Sequence, residues 1–221
     1  MPISNKIILK IYINILLFNV IIILFEMSQP RNYVDIGNLF IEVYQAFPSQ
    51  IMGREDIDLS NNIILPPSTL QKLSNLNDFW NNKNPLLFQI LNIDYNIKTH
   101  CGVIEFTAQE GLCYIPSNMF ARLDLEEGQK INIKKVSLPK GTSIKFQPHI
   151  TEFIKNPNPI EIIQNNLINY FCLTEGDTIS VKFGDKIYKV DVIECKPAKA
   201  IQIVDSYLKI DLVPPKDTND P

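Results

Sequence analysis

The sequence is poor in the residues that carry most enzyme chemistry. Its 221 residues include two histidines, one tryptophan, eight glycines and four cysteines. The glycines are dispersed, with no G-x-G-x-x-G and no G-x-x-x-x-G-K-[ST], so neither common backbone cradle for phosphate is present. Cys101, Cys113, Cys172 and Cys195 form no C-x-x-C pair and lie 12, 59 and 23 residues apart. A structural zinc site clusters its ligands as close pairs, so this spacing speaks against one. Each cysteine sits in an apolar run, as buried free thiols do; a disulfide framework is the alternative reading. A dominant charge is missing too. With 21 Lys and Arg against 24 Asp and Glu, the net charge of −3 offers no basic face for nucleic acid.

The remaining candidates for catalysis are thin. His100 and Cys101 are adjacent, but neighbours on a strand point to opposite faces, so they cannot pair as base and nucleophile. His149 is left as a partner for a distant cysteine, which keeps a cysteine hydrolase open as a second reading. Glu126-Glu127 and Glu105/Glu110 can be read as paired catalytic acids, but their turn-like polar surroundings fit solvated loop carboxylates. Trp80, after Asp78-Phe79, is either a half-buried packing residue or an exposed anchor for a partner. No catalytic or metal-binding residue is assigned, and no cofactor is expected.

What is present is a globular composition, 45% hydrophobic and 20% charged, long enough for one or two domains. Residues 1–26 form a separate problem. Lys6 and Lys10 precede the apolar run Ile11–Phe25, which is the grammar of a secretory signal. The run has 15 residues and no small-x-small cleavage site, and a bilayer span wants roughly 20. Three readings stand: a signal or signal-anchor, an upstream extension with Met27 as the start, or a core helix. The remaining chain does not need the segment.

An internal echo organises the rest. Ile63-Ile64-Leu65-Pro66 leads into a segment ending at Leu73, and Cys113-Tyr114-Ile115-Pro116 into one ending at Leu123. Aligning Pro66 on Pro116 places Leu65 on Ile115, Leu70 on Phe120 and Leu73 on Leu123. Each copy predicts a strand, a proline at the first helical turn, a short helix and another strand, Leu86–Leu91 and Lys130–Val136 respectively. Such a repeat predicts a closed barrel of two interlocked halves, which removes exposed edges. A strand is expected to open the domain between residues 32 and 50, followed by a loop over 52–62. Thr99–Tyr114 reads as two strands around Ala108–Gly111, with Val103, Glu105 and Thr107 alternating against Ile104 and Phe106.

A second unit begins near Phe146-Gln147-Pro148. Pro159 opens a predicted helix over Ile160–Phe171, with Ile160, Ile163, Leu167 and Tyr170/Phe171 on its apolar face. Strands Thr178–Phe183 and Lys186–Ile193 flank the hairpin turn Gly184-Asp185. Ala200–Leu212 is read as one last strand, making a single helix on a small antiparallel sheet. The domain reading is a leader at 1–26, a barrel at 32–147, an α+β unit at 148–215 and a polar tail at 216–221.

The motifs in order carry a resemblance. They run Ile64-Leu65-Pro66-Pro67-Ser68, Thr99-His100-Cys101-Gly102-Val103, Glu110-Gly111 with Cys113-Tyr114-Ile115-Pro116, Leu125-Glu126-Glu127-Gly128 and Lys145-Phe146-Gln147-Pro148. They continue through Phe171-Cys172-Leu173-Thr174, Gly176-Asp177, Lys186-Ile187-Tyr188, Glu194-Cys195-Lys196-Pro197 and Pro214-Pro215. From about Phe40 to Pro215 the chain resembles the N-terminal region of the ubiquitin fusion degradation protein 1 family. The resemblance implies a mainly β fold, a double-psi β-barrel followed by a small α+β roll. It implies a non-enzymatic adaptor that binds ubiquitin and polyubiquitin chains. With a nuclear protein localisation partner, the adaptor delivers ubiquitylated proteins to a AAA ATPase segregase of the valosin-containing protein type, best known in endoplasmic-reticulum-associated degradation. Family members dock on the ATPase through C-terminal F-x-G-x-G-type motifs, and none occurs here. The matched motifs are turn and core signatures, so they assign no ubiquitin-binding residue. The implied location is cytoplasmic, nuclear or at the ER membrane; a functional leader would place the chain in a secretory or plastid-surrounding compartment instead. The alternatives kept are a cysteine hydrolase acting on ubiquitin and a structural double-psi domain without ubiquitin binding.

Overall fold

The computed structural model describes residues 40–76 and 85–218. The apolar leader and Trp80 lie outside these described residues. Six strands close into a ring: β1 (Ile41–Pro48), β2 (Asn62–Ile64), β3 (Leu87–Asn92), β4 (Ile97–Glu105), β5 (Leu112–Ile115) and β6 (Lys130–Val136), in the order β1-β5-β2-β4-β3-β6. Strand β6 shows why. Ile131 and Ile133 alternate with polar neighbours and are fully buried inside the ring, opposite Asn92 and Ile90 of β3.

The ring maps onto itself when β1, β2 and β3 are exchanged for β4, β5 and β6. The parallel pair β1–β5 becomes the parallel pair β4–β2, and the antiparallel pair β3–β4 becomes β6–β1. Each half carries one helix, α1 (Pro67–Ser74) and α2 (Ser117–Arg122). The aligned residues Leu65 and Ile115, and Leu73 and Leu123, are all fully buried in one hydrophobic cluster. The fifty-residue echo is therefore a structural twofold. The echoed prolines sit one step earlier than expected. Pro66 and Pro116 occupy the extended residue before each helix, and Pro67 takes the first helical position of α1.

Strands β4 and β5 flank the turn at 108–111 as expected; they do not pair with each other, and both pair with β2, which lies between them. Two local expectations are corrected. The register of β2 against β4 steps from Ile63–Val103 to Ile64–Glu105, skipping Ile104. That bulge turns Ile104 outward, 45% exposed, while Val103 and Phe106 pack on the core. The expected loop over 52–62 contains a 3-10 turn (Glu55–Leu59) that buries Ile57, and β2 begins at its last residue.

The second lobe contains β7 (Ser143–Pro148), α3 (Thr151–Ile154), α4 (Pro159–Leu167), β8 (Cys172–Thr174), β9 (Thr178–Phe183), β10 (Lys186–Lys196), β11 (Ala200–Gln202) and β12 (Lys209–Leu212). Its main sheet runs β12-β7-β10-β9, and β8 and β11 form a separate pair. The residue 147 boundary falls inside β7, which pairs with β10 and β12 of this lobe. The sheet is mixed, because β12 lies parallel to β7. The single last strand is two strands: after Ile203 the chain turns through Asp205, at φ +50, and resumes in the other sheet.

Helix α4 is shorter than its periodicity suggested, and of its expected apolar face Ile163, Leu167 and Tyr170 are buried while Ile160 is not. It buries Ile162, Ile163 and Leu167, leaves Ile160 39% exposed, and ends at Leu167. Beyond it, Asn169 and Tyr170 donate to the carbonyls of Asn166 and Leu167, a tighter i→i+3 winding that lets Tyr170 bond to Ser180 of β9. The start of the polar tail is docked: the Asp217 carboxylate accepts from Thr151 N at 2.7 Å and Thr151 Oγ1 at 2.6 Å, covering the first turn of α3.

Candidate functional site

The thiols and histidines first considered for catalysis are drawn into the packing and hydrogen bonding of the fold. All four cysteines are buried free thiols. Burial raises the pKa of Cys101, Cys113 and Cys172 well above the ordinary thiol range and pushes Cys195 up to about 12. The reactive thiolate is therefore suppressed at every one. His100 lies on β4 with its Nδ1 3.0 Å from Thr174 Oγ1 and its Nε2 3.2 Å from Gln89 Nε2. Burial, then the nearby Lys98 charge, pushes it down to about 4, so it is neutral at physiological pH. His149, on the second lobe, bonds to Asp191 through Nε2 at 2.6 Å. Among the described residues no histidine bonds to a thiol, and no group of three His, Cys, Asp or Glu side chains converges as a metal site.

The acids divide in the same way. Glu105 accepts from Arg54 Nη1 at 2.7 Å, and Glu110 accepts from Ser68 Oγ at 2.5 Å, tying the 108–111 turn to the start of α1. Glu126 and Glu127 instead rim a hollow on the barrel with Asp94, Asp124 and the 62% exposed Tyr95. That turn depends on Gly128, whose φ of +78 favours glycine, and the Gly128 N–H donates to Ala46 O at 2.8 Å.

A polar seam joins the barrel to the second lobe. Asn61 Nδ2 donates to Cys172 O at 2.7 Å, Asn62 Nδ2 to Asn169 O at 3.0 Å, and Asn118 Nδ2 to Ser180 Oγ at 2.6 Å. Arg122 Nε donates to Gly176 O at 2.9 Å, and Thr99 donates to Asp177. Gly102 lets the backbones approach here: a Cβ at this position would collide with the Phe171 ring and Asn62 Oδ1. The seam fixes the angle at which the two lobes present their surfaces.

A partly apolar groove lies on the second lobe. Leu167 and Ile168 at the end of α4 face Ile203, Tyr207, Leu208 and Ile210. Tyr207 is fully exposed and Ile168 is 81% exposed. The sequence reading missed both, because Ile168 was absorbed into the helix and Tyr207 into one long strand. The signal available was Asp205-Ser206, a turn-forming pair that breaks the strand and throws the next aromatic outward.

Comparison with known proteins follows the two lobes. The model of ubiquitin fusion degradation protein UFD1, N-terminal subdomain 1, matches residues 40–139, and that of subdomain 2 matches residues 140–215. The chain is 38% identical over 202 residues to the human "Ubiquitin recognition factor in ER-associated degradation protein 1", covering 90% of this chain and 64% of that protein. It is 39% identical over 179 residues to the "Ubiquitin fusion degradation protein 1 homolog" of Dictyostelium discoideum, covering 80% and 53%. Against "Ubiquitin fusion degradation protein 1" of Saccharomyces cerevisiae the identity is 31% over 192 residues, covering 84% and 52%. The chain thus spans between about half and two thirds of the length of these relatives.

Proposed function

Because the chain belongs to the ubiquitin fusion degradation protein 1 family, we propose that it is a ubiquitin-recognising adaptor, not an enzyme, serving ubiquitin-dependent degradation. The observation that carries this reading is the groove at Ile168 and Tyr207. An exposed aromatic and an exposed isoleucine sharing one groove do little for folding, and such pairs supply binding energy at protein interfaces. The suppressed thiols of Cys101 and Cys172 weigh against a hydrolase. The acidic hollow around Tyr95 is a second surface, on the other lobe. Two surfaces on a fixed frame suit a chain of ubiquitins, since the second contact forms at high effective concentration and gains on the order of 100-fold where the geometry allows. The human relative is named for a role in ER-associated degradation, which supports action in the cytoplasm at the ER surface. Delivery to a AAA segregase with a nuclear protein localisation partner is part of the same proposal.

The test is a titration of labelled mono-ubiquitin and tetra-ubiquitin against the whole chain and a Tyr207→Ala, Ile168→Asp variant. Tighter binding of the tetramer, lost in the variant, is expected. Equal affinity for monomer and tetramer overturns the two-surface reading, and covalent labelling of Cys101 or Cys172 by a ubiquitin suicide probe overturns the adaptor reading.

A further inference from the structure

Two buried titratable groups cross the seam between the lobes, and burial disfavours the charged form of each. Asp177, at the start of β9, has a side chain only 16% exposed. Its Oδ2 accepts from Thr99 of β4, while its Oδ1 has no hydrogen-bond partner among the described residues. The Arg122 guanidinium of α2 is 3.7 Å from Oδ1, but its Nε donates to Gly176 O instead. The other titratable groups close enough to act on Asp177 are the thiols of Cys101 on β4, Cys172 on β8 and Cys195 on β10, all uncharged near neutrality. One residue along β4, His100 crosses the seam to Thr174. Its two ring nitrogens face a hydroxyl and an amide, with no carboxylate to stabilise a cation, and Lys98 is the charged group acting on it.

We propose that Asp177 and His100 form a proton-compensated lock between the lobes. Closing the seam takes up a proton at Asp177 and sheds one at His100, so the joint holds equally well in mildly acidic and neutral solution. The proton balance closes, since one site gains what the other loses. Burial drives both changes, pushing Asp177 up to about 7 and His100 down to about 4. The signs are opposite. The Asp177 contribution is fully present below the unfolded carboxylate value of about 4 and is lost as pH rises through about 7. The His100 contribution is fully present above the unfolded imidazole value of about 6.5 and is lost as pH falls towards about 4. Between these limits the two slopes cancel.

Urea unfolding of the full chain from pH 5 to 7 tests the lock. Relative to wild type, the folding equilibrium constant of Asp177→Asn is expected to rise about 50-fold from pH 5 to pH 7. That of His100→Gln is expected to fall about 15-fold from pH 5 to pH 6.5. A variant-to-wild-type ratio that stays flat for either residue overturns the proposal. If a variant does not fold, carboxyl and imidazole NMR titrations of the wild-type chain decide. Asp177 is expected to titrate near neutrality while His100 stays neutral at pH 5. Titration of Asp177 in the ordinary carboxylate range, or a charged His100 at pH 6, overturns it.

Discussion

The barrel and the second lobe solve the same problem in opposite ways. In the barrel, six strands close on themselves, every strand has two neighbours, and the chain repeats its own solution with the prolines in register. Closure satisfies the backbone and leaves loops and the hollow near Tyr95 as the places to meet a partner. In the second lobe, the sheet stays open, with β12 and β9 at its ends, and the chain after α4 and after β11 carries Ile168 and Tyr207 into solvent. The closed half leaves no free strand edge; the irregular half leaves large apolar side chains exposed. The seam lets one half position the other.

The largest expected effect tests the symmetry of the barrel. Leu73→Ala and Leu123→Ala each remove a fully buried side chain from the same cluster and should cost about 2–5 kcal/mol apiece. Urea unfolding should give similar losses for the two; a large loss at one site with none at the other would break the twofold reading. A smaller effect is expected at the seam. Gly102→Ala forces a methyl against Phe171 and Asn62 and should cost about 1–3 kcal/mol. Hydrogen exchange would locate the damage, since the Phe171 amide donates across the seam to Asn61 Oδ1 and should lose protection first. The smallest effect sharpens the contrast between the lobes. Tyr207→Ala should change stability by no more than about 0.5 kcal/mol, because the side chain is fully exposed. A larger thermal shift would make Tyr207 part of the fold instead of a contact held ready for a partner.

Much of the architecture was legible because it rests on local chemistry. Prolines before short helices, the alternation in Lys130–Val136 and the Gly184-Asp185 turn each require one local conformation, and the structure has them. Ile104 was misread because a bulge depends on how two distant strands register, and periodicity within one strand carries no trace of that. On α4 only Ile160 departs from the expected face, for a related reason: Pro159 fixes where the helix starts, but the sheet beneath decides which of Ile160 and Ile162 is covered.

By itself, then, the sequence determined the repeat and the family, because these follow from turn residues and apolar spacing that act over a few residues. The tertiary structure alone decided what those elements do together. It buried the thiols and His100, and it left Ile168 and Tyr207 outside. It also set Asp177 of one lobe against Thr99 and Arg122 of the other. Burial and charge depend on which distant segments meet, and 78 residues of chain separate Thr99 from Asp177.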